Sequence, residues 1–425
     1  MSLTTRKYLF AFIMITSLFF LWGFVHNFNP VLIPHLKRSF TLNTTQSTLI
    51  DTAVYAAYFL MAIPAGMLMK RFGYKVGIIT GLLVFAMGAF LFIPAANLQS
   101  YLFFLAALFV IATGLTMLET AANPYASALG DPATAPMRLN FSQSFNGLAA
   151  ALAPAIGVRV ILTETHTDEQ LAAMTEAART AALASEASSV KIPYLILGLA
   201  LVVVAIIFSF LKLPKIQQDA VHHHGSAGSQ EQSTELTSTS TRKGPLSFRH
   251  LRWAIVTQFF YVGAQVCVFS TFLLYAPVSA GITQKEAGDY LFICGMAFLA
   301  GRFIGTALMQ YFEARKLLML YAIMSFLLGW VAVFASGMIT IYTVVGICFF
   351  MSIMFPTIFA LGIRNLKQHT EFGSSLIIMA IVGAALLPLL FGLITDLTGN
   401  VQLAYLVPIF CFAVVWYFGW KGADE

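Results

Sequence analysis

YLFFLAALFVIATGLTMLETAANPYAS, residues 101–127, is an apolar stretch whose second half contains one carboxylate, Glu119. About 20 apolar residues are enough for an α-helix to cross the roughly 30 Å hydrocarbon core of a bilayer, so this stretch predicts a membrane-spanning helix. A carboxylate deep in such a helix costs roughly 2.5–3.5 kcal/mol on insertion scales. We therefore expect Glu119 to face a partner or a water-filled cavity, and to have a function.

Apolar runs of this kind recur along the whole chain, of which 59% is hydrophobic and only 10% is charged. Soluble domains carry about 25% charged residues, so the composition excludes a soluble globular protein. The runs are continuous rather than alternating, which excludes a transmembrane β-barrel. We predict an all-α polytopic membrane protein whose twelve transmembrane helices cover residues 8–34, 46–69, 76–96, 101–127, 138–162, 192–212, 252–277, 288–312, 316–336, 338–362, 373–397 and 401–420.

A polar segment at residues 213–250 divides the twelve runs into six and six. This division is typical of two pseudo-repeated helix bundles around a central binding site. We predict an N-terminal six-helix bundle at 1–212, a cytoplasmic linker at 213–250 and a C-terminal six-helix bundle at 251–425. Three consecutive histidines beginning at His222 lie in the linker, where a flexible segment is preferred over a metal site.

Lysine and arginine residues decide the predicted orientation. Most of them fall in segments that are internal if both termini are inside. Because cytoplasmic loops carry an excess of these residues, we predict a multi-pass protein of the bacterial inner membrane with both termini in the cytoplasm. The net charge of +6 is spread over the ends of apolar runs and does not indicate a nucleic-acid partner. No nucleophile–base pair or cofactor fingerprint indicates an enzyme.

Two further ionisable residues lie within apolar runs. Asp51 is near the outer end of the second run, with Tyr55 and Tyr58 on the same helical face. It is either functional or an interfacial cap. Arg302, in the eighth run, is flanked by two glycines at a spacing typical of close helix packing. It is either a structural arginine bonded to carbonyls or a cavity arginine that binds sugar hydroxyls or a carboxylate.

Uncharged polar residues accompany these charges in both halves of the chain. Sugar hydroxyls pair with amides, and the apolar faces of sugar rings lie against aromatic side chains. The basic cluster that a phosphate carrier would need is lacking. We therefore predict a sugar site that includes Asn27, Asn29, Gln143, Asn146, Gln258, Tyr261 and Gln265.

Several short sequence segments, in order along the chain, resemble the major facilitator superfamily, and within it the branch of fucose–proton symporters and glucose/galactose transporters. The segment with Lys70 and Arg71 resembles the superfamily loop between helices 2 and 3, which gives these two residues a structural or gating role. The segments that carry the resemblance are SLFFLWGFVHNFN (17–29), GMLMKRFGYKVG (66–77), LETAANPY (118–125), RLNFSQSFNG (138–147), YVGAQV (261–266), GRFIGT (301–306) and FPTIFALGIRNL (355–366).

The resemblance implies alternating access and assigns roles to some residues. Glu119 matches the helix-4 glutamate that the fucose transporter uses in proton coupling and sugar binding, and Asn27 matches its helix-1 asparagine. Gln143 and Asn146 match its helix-5 polar pair. The chain departs from the fucose branch at Pro30, where that branch has an essential aspartate.

The branch has a glutamine at the position of Asp51, so one carboxylate is lost and another is gained. Carboxylates on helices 2 and 4 resemble the melibiose transporters, in which such a pair holds sodium. We therefore predict a sodium site at Asp51 and Glu119. Oxygen ligands suit this hard cation. The shell would be completed by Thr52, Thr120, Asn123 and Asn146.

Taken together, these features predict cation-coupled symport of a hexose-type monosaccharide by alternating access, with sodium favoured over the proton as coupling ion. The alternatives are a proton-coupled sugar symporter, a proton-driven multidrug exporter and a transport-deficient sensor. The amide-rich cavity argues against the exporter, and the short linker argues against the sensor. The expected partners are a sugar, the coupling cation and membrane lipids, with no other cofactor, no nucleic acid and a monomeric state.

Overall fold

The computed structural model describes residues 4–26, 40, 44–161, 173–188, 190–214 and 244–424. The regular elements within these residues are helices. The α-helices are α1 (Leu9–His26), α2 (Thr44–Phe72), α3 (Tyr74–Asn97), α4 (Tyr101–Ala128), α5 (Ala135–Ile161), α6 (Glu176–Ser188), α7 (Lys191–Phe210), α8 (Arg249–Ala280), α9 (Gln284–Leu308), α10 (Ala314–Phe334), α11 (Met338–Met351), α12 (Met354–Gly362), α13 (Thr370–Met379), α14 (Gly383–Thr398) and α15 (Leu406–Tyr417).

The described helices match the predicted apolar runs. In the part of the chain that the structure describes, ten helical segments are long and apolar enough to cross a membrane, and a shorter apolar helix, Leu9–Phe24, precedes them. The remaining run coincides with α5, which has 27 residues. The predicted all-α polytopic fold is therefore confirmed. Three runs depart from a single α-helix: α11 and α12 share one, α13 and α14 share another, and the last ends in a π-helical turn at Phe418–Gly422.

Both ends of α4 are fixed by hydrogen bonds that satisfy its free backbone groups. At its start, the Ser100 hydroxyl accepts a bond from the Phe103 amide at 3.4 Å. At its end, the buried guanidinium of Arg138 on α5 donates to the carbonyls of Ala126 and Ser127. The helix continues through an internal proline, Pro124.

The predicted linker is only partly described. Residues 215–243, with the three histidines, lie outside the described residues, so the linker and the division into residues 1–212 and 251–425 stay predictions. The helix α8 begins at Arg249, ahead of the predicted start at 252.

The helices pack in two groups that follow the two halves of the chain. In the first half, α3 packs against α4 and α7, α2 packs against α4, and α1 lies against α5. In the second half, α10 packs against α11 and α15, and α8 packs against α12, α14 and α15. The halves meet where α2 and α4 contact α13 and where α5 contacts α9 and α12. Helices α2, α4 and α5 therefore connect the first half to the second.

Hydrogen bonds join the halves at the end of the molecule where α2 ends and α5 begins, which we call the joined end. Asn140 Nδ2 on α5 donates to Thr357 Oγ1 on α12 over 3.0 Å. Tyr74, the first residue of α3, shares a side-chain hydrogen bond with Glu371 on α13. These bonds hold the two halves together at this end in the conformation described.

Candidate functional site

The carboxylate of Glu119 is held by a tyrosine from the neighbouring helix. The Tyr58 hydroxyl on α2 donates to Glu119 Oε1 over 2.6 Å, and the Tyr58 side chain is only 2% exposed. Glu119 itself is half-buried on α4. A hydroxyl–carboxylate contact of this length is a short hydrogen bond, and it holds the Glu119 side chain against Tyr58.

One turn further along α4, the polar network continues to α5. Asn123 is fully buried, and its Oδ1 accepts a hydrogen bond from Gln143 Nε2 over 3.1 Å. The Asn123 amide nitrogen has no hydrogen-bond partner among the described residues. We call Tyr58, Glu119, Asn123 and Gln143 the Glu119 cluster. The cluster combines one carboxylate with amides, which is the chemistry predicted for a sugar and cation site.

Asn146 lies beside this cluster, where α5 passes close to α1. A Cβ atom added to Gly23 would come within 2.6 Å of Asn146 Nδ2. Only glycine at position 23 therefore leaves room for this amide. Asn146 is half-buried, and its predicted roles in sugar and cation binding stay predictions. Asn27 and Asn29 lie outside the described residues.

Arg302 connects the two halves next to the Glu119 cluster. Its guanidinium Nη1 donates to the backbone carbonyl of Gln143 over 2.8 Å, and its Nε donates to that of Ser352 over 2.9 Å. The side chain is 4% exposed, and its Cζ lies 4.6 Å from the centre of the Phe298 ring. In this conformation Arg302 has the geometry of the structural arginine bonded to carbonyls, one of the two roles that the sequence leaves open.

The polar residues predicted on α8 differ in their surroundings. Gln258 is fully buried, and neither its Oε1 nor its Nε2 has a partner among the described residues. Tyr261 is also fully buried, and its hydroxyl donates to the Met351 carbonyl over 2.9 Å. This bond occupies the hydroxyl in the conformation described, in place of the predicted sugar contact. Gln265 is half-buried.

The predicted sodium shell is not assembled in this structure. Asp51 and Thr52 are exposed, and Asp51 is seven residues from Tyr58, which is about 10 Å along an α-helix. The hydroxyl of Thr120 donates to the carbonyl of Thr116 on its own helix over 2.7 Å. Among the described residues, no group of three or more His, Cys, Asp or Glu side chains could hold a metal. The structure therefore gives no support to a joint site of Asp51 and Glu119, which stays a prediction.

The predicted gating residues lie at the joined end. Lys70 and Arg71 are exposed in the last turn of α2, and their role stays a prediction. Sequence reasoning missed the bond between Tyr74 and Glu371 and the bond from Asn140 to Thr357. The polar segment at residues 138–147 indicated Asn140 as a candidate, but no local sequence pattern could predict its hydrogen-bond partner in the other half of the chain.

Comparison with known protein families and with individual relatives indicates the same family. The family model described as Major Facilitator Superfamily matches residues 10–381. The glucose/galactose transporter of Brucella abortus (strain 2308) is 41% identical over 423 residues, which cover 99% of this chain and 96% of that protein. The L-fucose-proton symporter of Escherichia coli (strain K12) is 40% identical over 417 residues, which cover 97% of this chain and 93% of that protein.

A solved structure shows the same architecture. The crystal structure of the transporter FucP in the outward conformation superimposes with a TM-score of 0.87 at 38% sequence identity, and the match covers 99% of this chain and 100% of that one. The relatives are transporters, not enzymes. The match spans the helices of both halves, including those that carry the Glu119 cluster. The chain therefore belongs to the Major Facilitator Superfamily.

Proposed function

We propose that the protein is a proton-coupled symporter of a hexose-type monosaccharide that works by alternating access. The observation that carries this proposal is the Glu119 cluster: a carboxylate inside a membrane-spanning helix, bonded to Tyr58 and one helical turn from a pair of bonded amides. A carboxylate in that position can take up and release a proton, because its charge is costly there and the neutral form is not.

The proton is preferred over sodium as the coupling ion for two reasons. Asp51, the second carboxylate that a sodium site would need, is exposed and two helical turns from Tyr58. The relative from Escherichia coli, 40% identical, is named a proton symporter. Both observations support coupling through a protonatable carboxylate at Glu119 rather than through a metal shell shared with Asp51. We therefore prefer proton coupling to the sodium coupling that the sequence pattern favoured.

The sugar would bind between the halves, against amides that the structure leaves without partners. Asn123 Nδ2 and both polar atoms of Gln258 are buried and unpaired among the described residues. An unpaired buried donor or acceptor costs about 1–3 kcal/mol, so such groups are expected to meet a ligand at some stage of the cycle. The sugar hydroxyls would supply both donors and acceptors.

The joined end would face the cytoplasm, because it contains Lys70 and Arg71 and cytoplasmic segments are rich in basic residues. The site would then open to the outside in the conformation described. This orientation places both termini in the cytoplasm of a bacterium, in its inner membrane, as the sequence predicts. We further propose six-helix bundles at residues 1–212 and 251–425 and a monomeric transporter.

The first test is Glu119→Gln in proteoliposomes, with each sugar of a hexose panel supplied outside the vesicles for accumulation and on both sides for counterflow. We expect sugar accumulation driven by a pH gradient to fall to background, because the amide cannot carry a proton. Counterflow of labelled sugar, which needs binding but no net proton movement, should remain measurable. The matched control is Asp289→Asn, which neutralises an exposed carboxylate on α9 and should accumulate sugar normally. Accumulation by Glu119→Gln, or uptake that requires sodium and ignores pH, would contradict the proposal.

A further inference from the structure

Tyr58 stands at the buried end of a row of polar residues on α2. Asp51, Tyr55 and Tyr58 are spaced four and three residues apart, which places them on one helical face. Their burial increases along the row: Asp51 is exposed, Tyr55 is half-buried and Tyr58 is 2% exposed. The row ends on the Glu119 carboxylate, 2.6 Å from the Tyr58 hydroxyl. We call these four residues the α2 row.

Neighbours in the α2 row interact with one another. Tyr55 lies within electrostatic range of Asp51, and Tyr58 lies within range of both Tyr55 and Glu119. The row therefore leads from the exposed carboxylate of Asp51 to the half-buried carboxylate of Glu119 through two hydroxyl groups. A phenolic hydroxyl both donates and accepts hydrogen bonds, so each tyrosine can receive a proton on one side and release one on the other.

The other titratable groups on the helices packed around α2 and α4 have partners of their own or lie elsewhere. The Tyr74 hydroxyl is bonded to Glu371, Lys75 donates to the carbonyls of Ser209 and Leu211, and Arg138 donates to the carbonyls at the end of α4. Asp396 is exposed in the last turn of α14. The side chains of His26 and Arg159 lie outside the described residues. Tyr58 is the side chain that the structure bonds to Glu119.

We propose that Tyr58 is the residue through which Glu119 gains its coupling proton, supplied along the α2 row from Asp51. This inference rests on the proposed role of Glu119. It adds a second functional helix to the coupling site. It also gives Asp51 a role in collecting protons, so that its separation from Glu119 is no obstacle.

The step is a proton relay with no net change at Tyr58. The Tyr58 O–H bond breaks as its proton passes to Glu119 Oε1, where a new O–H bond forms and the carboxylate becomes neutral. A proton from Tyr55 or from water replaces it on the Tyr58 oxygen. The donor is restored in turn from the Asp51 carboxyl group, which takes its proton from hydronium in the outer solution. One hydronium is consumed for each Glu119 protonated.

The test uses Tyr58→Phe in proteoliposomes. We expect uphill uptake to slow by at least about 100-fold, the lower end of the range for positioned acid–base groups. Sugar counterflow should be retained. Because the Tyr58 hydrogen bond favours the ionised carboxylate, its loss should also move the pH of half-maximal uptake upward. Tyr275→Phe is the matched control, since its buried hydroxyl donates to the Ala332 carbonyl over 2.7 Å and not to a carboxylate.

A second variant keeps the shape of the side chain, in case Tyr58→Phe is poorly folded. Tyr58→3,5-difluorotyrosine makes the hydroxyl more acidic and leaves its packing nearly unchanged. We expect it to displace the pH profile of uphill uptake without changing counterflow. An unmoved profile would overturn the role of Tyr58 while leaving that of Glu119 intact. Accumulation by Glu119→Gln would instead remove the proposed function itself, so the two failures are distinguishable.

Asp51→Asn tests the outer end of the α2 row. We expect it to slow uptake more at alkaline than at acidic external pH, because a collecting carboxylate matters most when protons are scarce. Equal slowing at every pH, or none, would remove Asp51 from the relay.

Discussion

At the scale of single residues, the candidate site consists of polar side chains buried within membrane-spanning helices, where an unpaired polar group costs free energy. Gln258 is fully buried, and both of its polar side-chain atoms lack partners among the described residues. Gln402 offers a contrast in the same half, because its Nε2 donates to the carbonyls of Ala332 and Ala335. The first glutamine has the character of a binding residue and the second that of a structural one.

This contrast predicts opposite effects of the same substitution. Gln258→Met should raise the thermal stability of the sugar-free protein by about 1–3 kcal/mol, because it removes unpaired buried polar atoms. It should also abolish the stabilisation that a bound sugar gives. Gln402→Met should lower stability and leave the sugar response intact. Melting curves of purified protein with and without sugar measure both quantities. A less stable Gln258→Met with a normal sugar response would contradict the binding role.

At the scale of elements, the position of Glu119 depends on how closely α4 packs against α3. A Cβ atom on Gly114 of α4 would lie 2.5 Å from the Phe85 backbone nitrogen, and one on Gly88 of α3 would lie 2.6 Å from that of Ile111. On each of the helices α3 and α4, a glycine therefore lies directly against the backbone of the other helix. This reciprocal contact fixes the rotation of α4, and therefore the direction in which its carboxylate points.

We therefore expect Gly114→Ala to destabilise the protein by about 1–3 kcal/mol, the usual cost of overpacking. Transport should fall further than stability alone explains, because a rotated α4 moves Glu119 away from Tyr58. Gly288→Ala on α9 is the matched control, since a Cβ there meets nothing within 4 Å. Thermal unfolding and pH-driven uptake, measured on the same preparations, would separate the two effects. Full activity in Gly114→Ala would show that the crossing is not tight in the membrane.

At the scale of the whole molecule, hydropathy predicts the helices because a membrane-spanning helix is a local property of about 20 residues. The same local pattern places Tyr58 on the face of Asp51, but its bond to Glu119 crosses between helices and could not be read from spacing. The predicted pairing of Asp51 with Glu119 finds no support in the structure for a related reason. Being on neighbouring helices does not put two side chains at the same depth, and α2 separates Asp51 from Tyr58 by two turns.

The joined end is another feature that only the packed molecule reveals. Tyr74 of α3 shares a side-chain hydrogen bond with Glu371 of α13, and Asn140 of α5 bonds to Thr357 of α12. Alternating access requires such contacts to break when the site opens on this side. They therefore bias the equilibrium between the two conformations by an amount that mutation can measure.

Removing the bond from Asn140 to Thr357 should shift the molecule toward the conformation that is open at the joined end. One hydrogen bond contributes about 0.5–1.5 kcal/mol, so Thr357→Val should change the ratio of the two conformations by roughly 2- to 12-fold. Spin labels at the exposed positions Phe72 and Gln368, one in each half, would report this as a larger population of long distances. Ser144→Ala is the control, because the Ser144 hydroxyl donates within its own helix, to the Asn140 carbonyl of α5. An unchanged distance distribution in Thr357→Val would mean that the bond has no part in closing this end, whereas an equal shift in Ser144→Ala would point to a general loosening of α5.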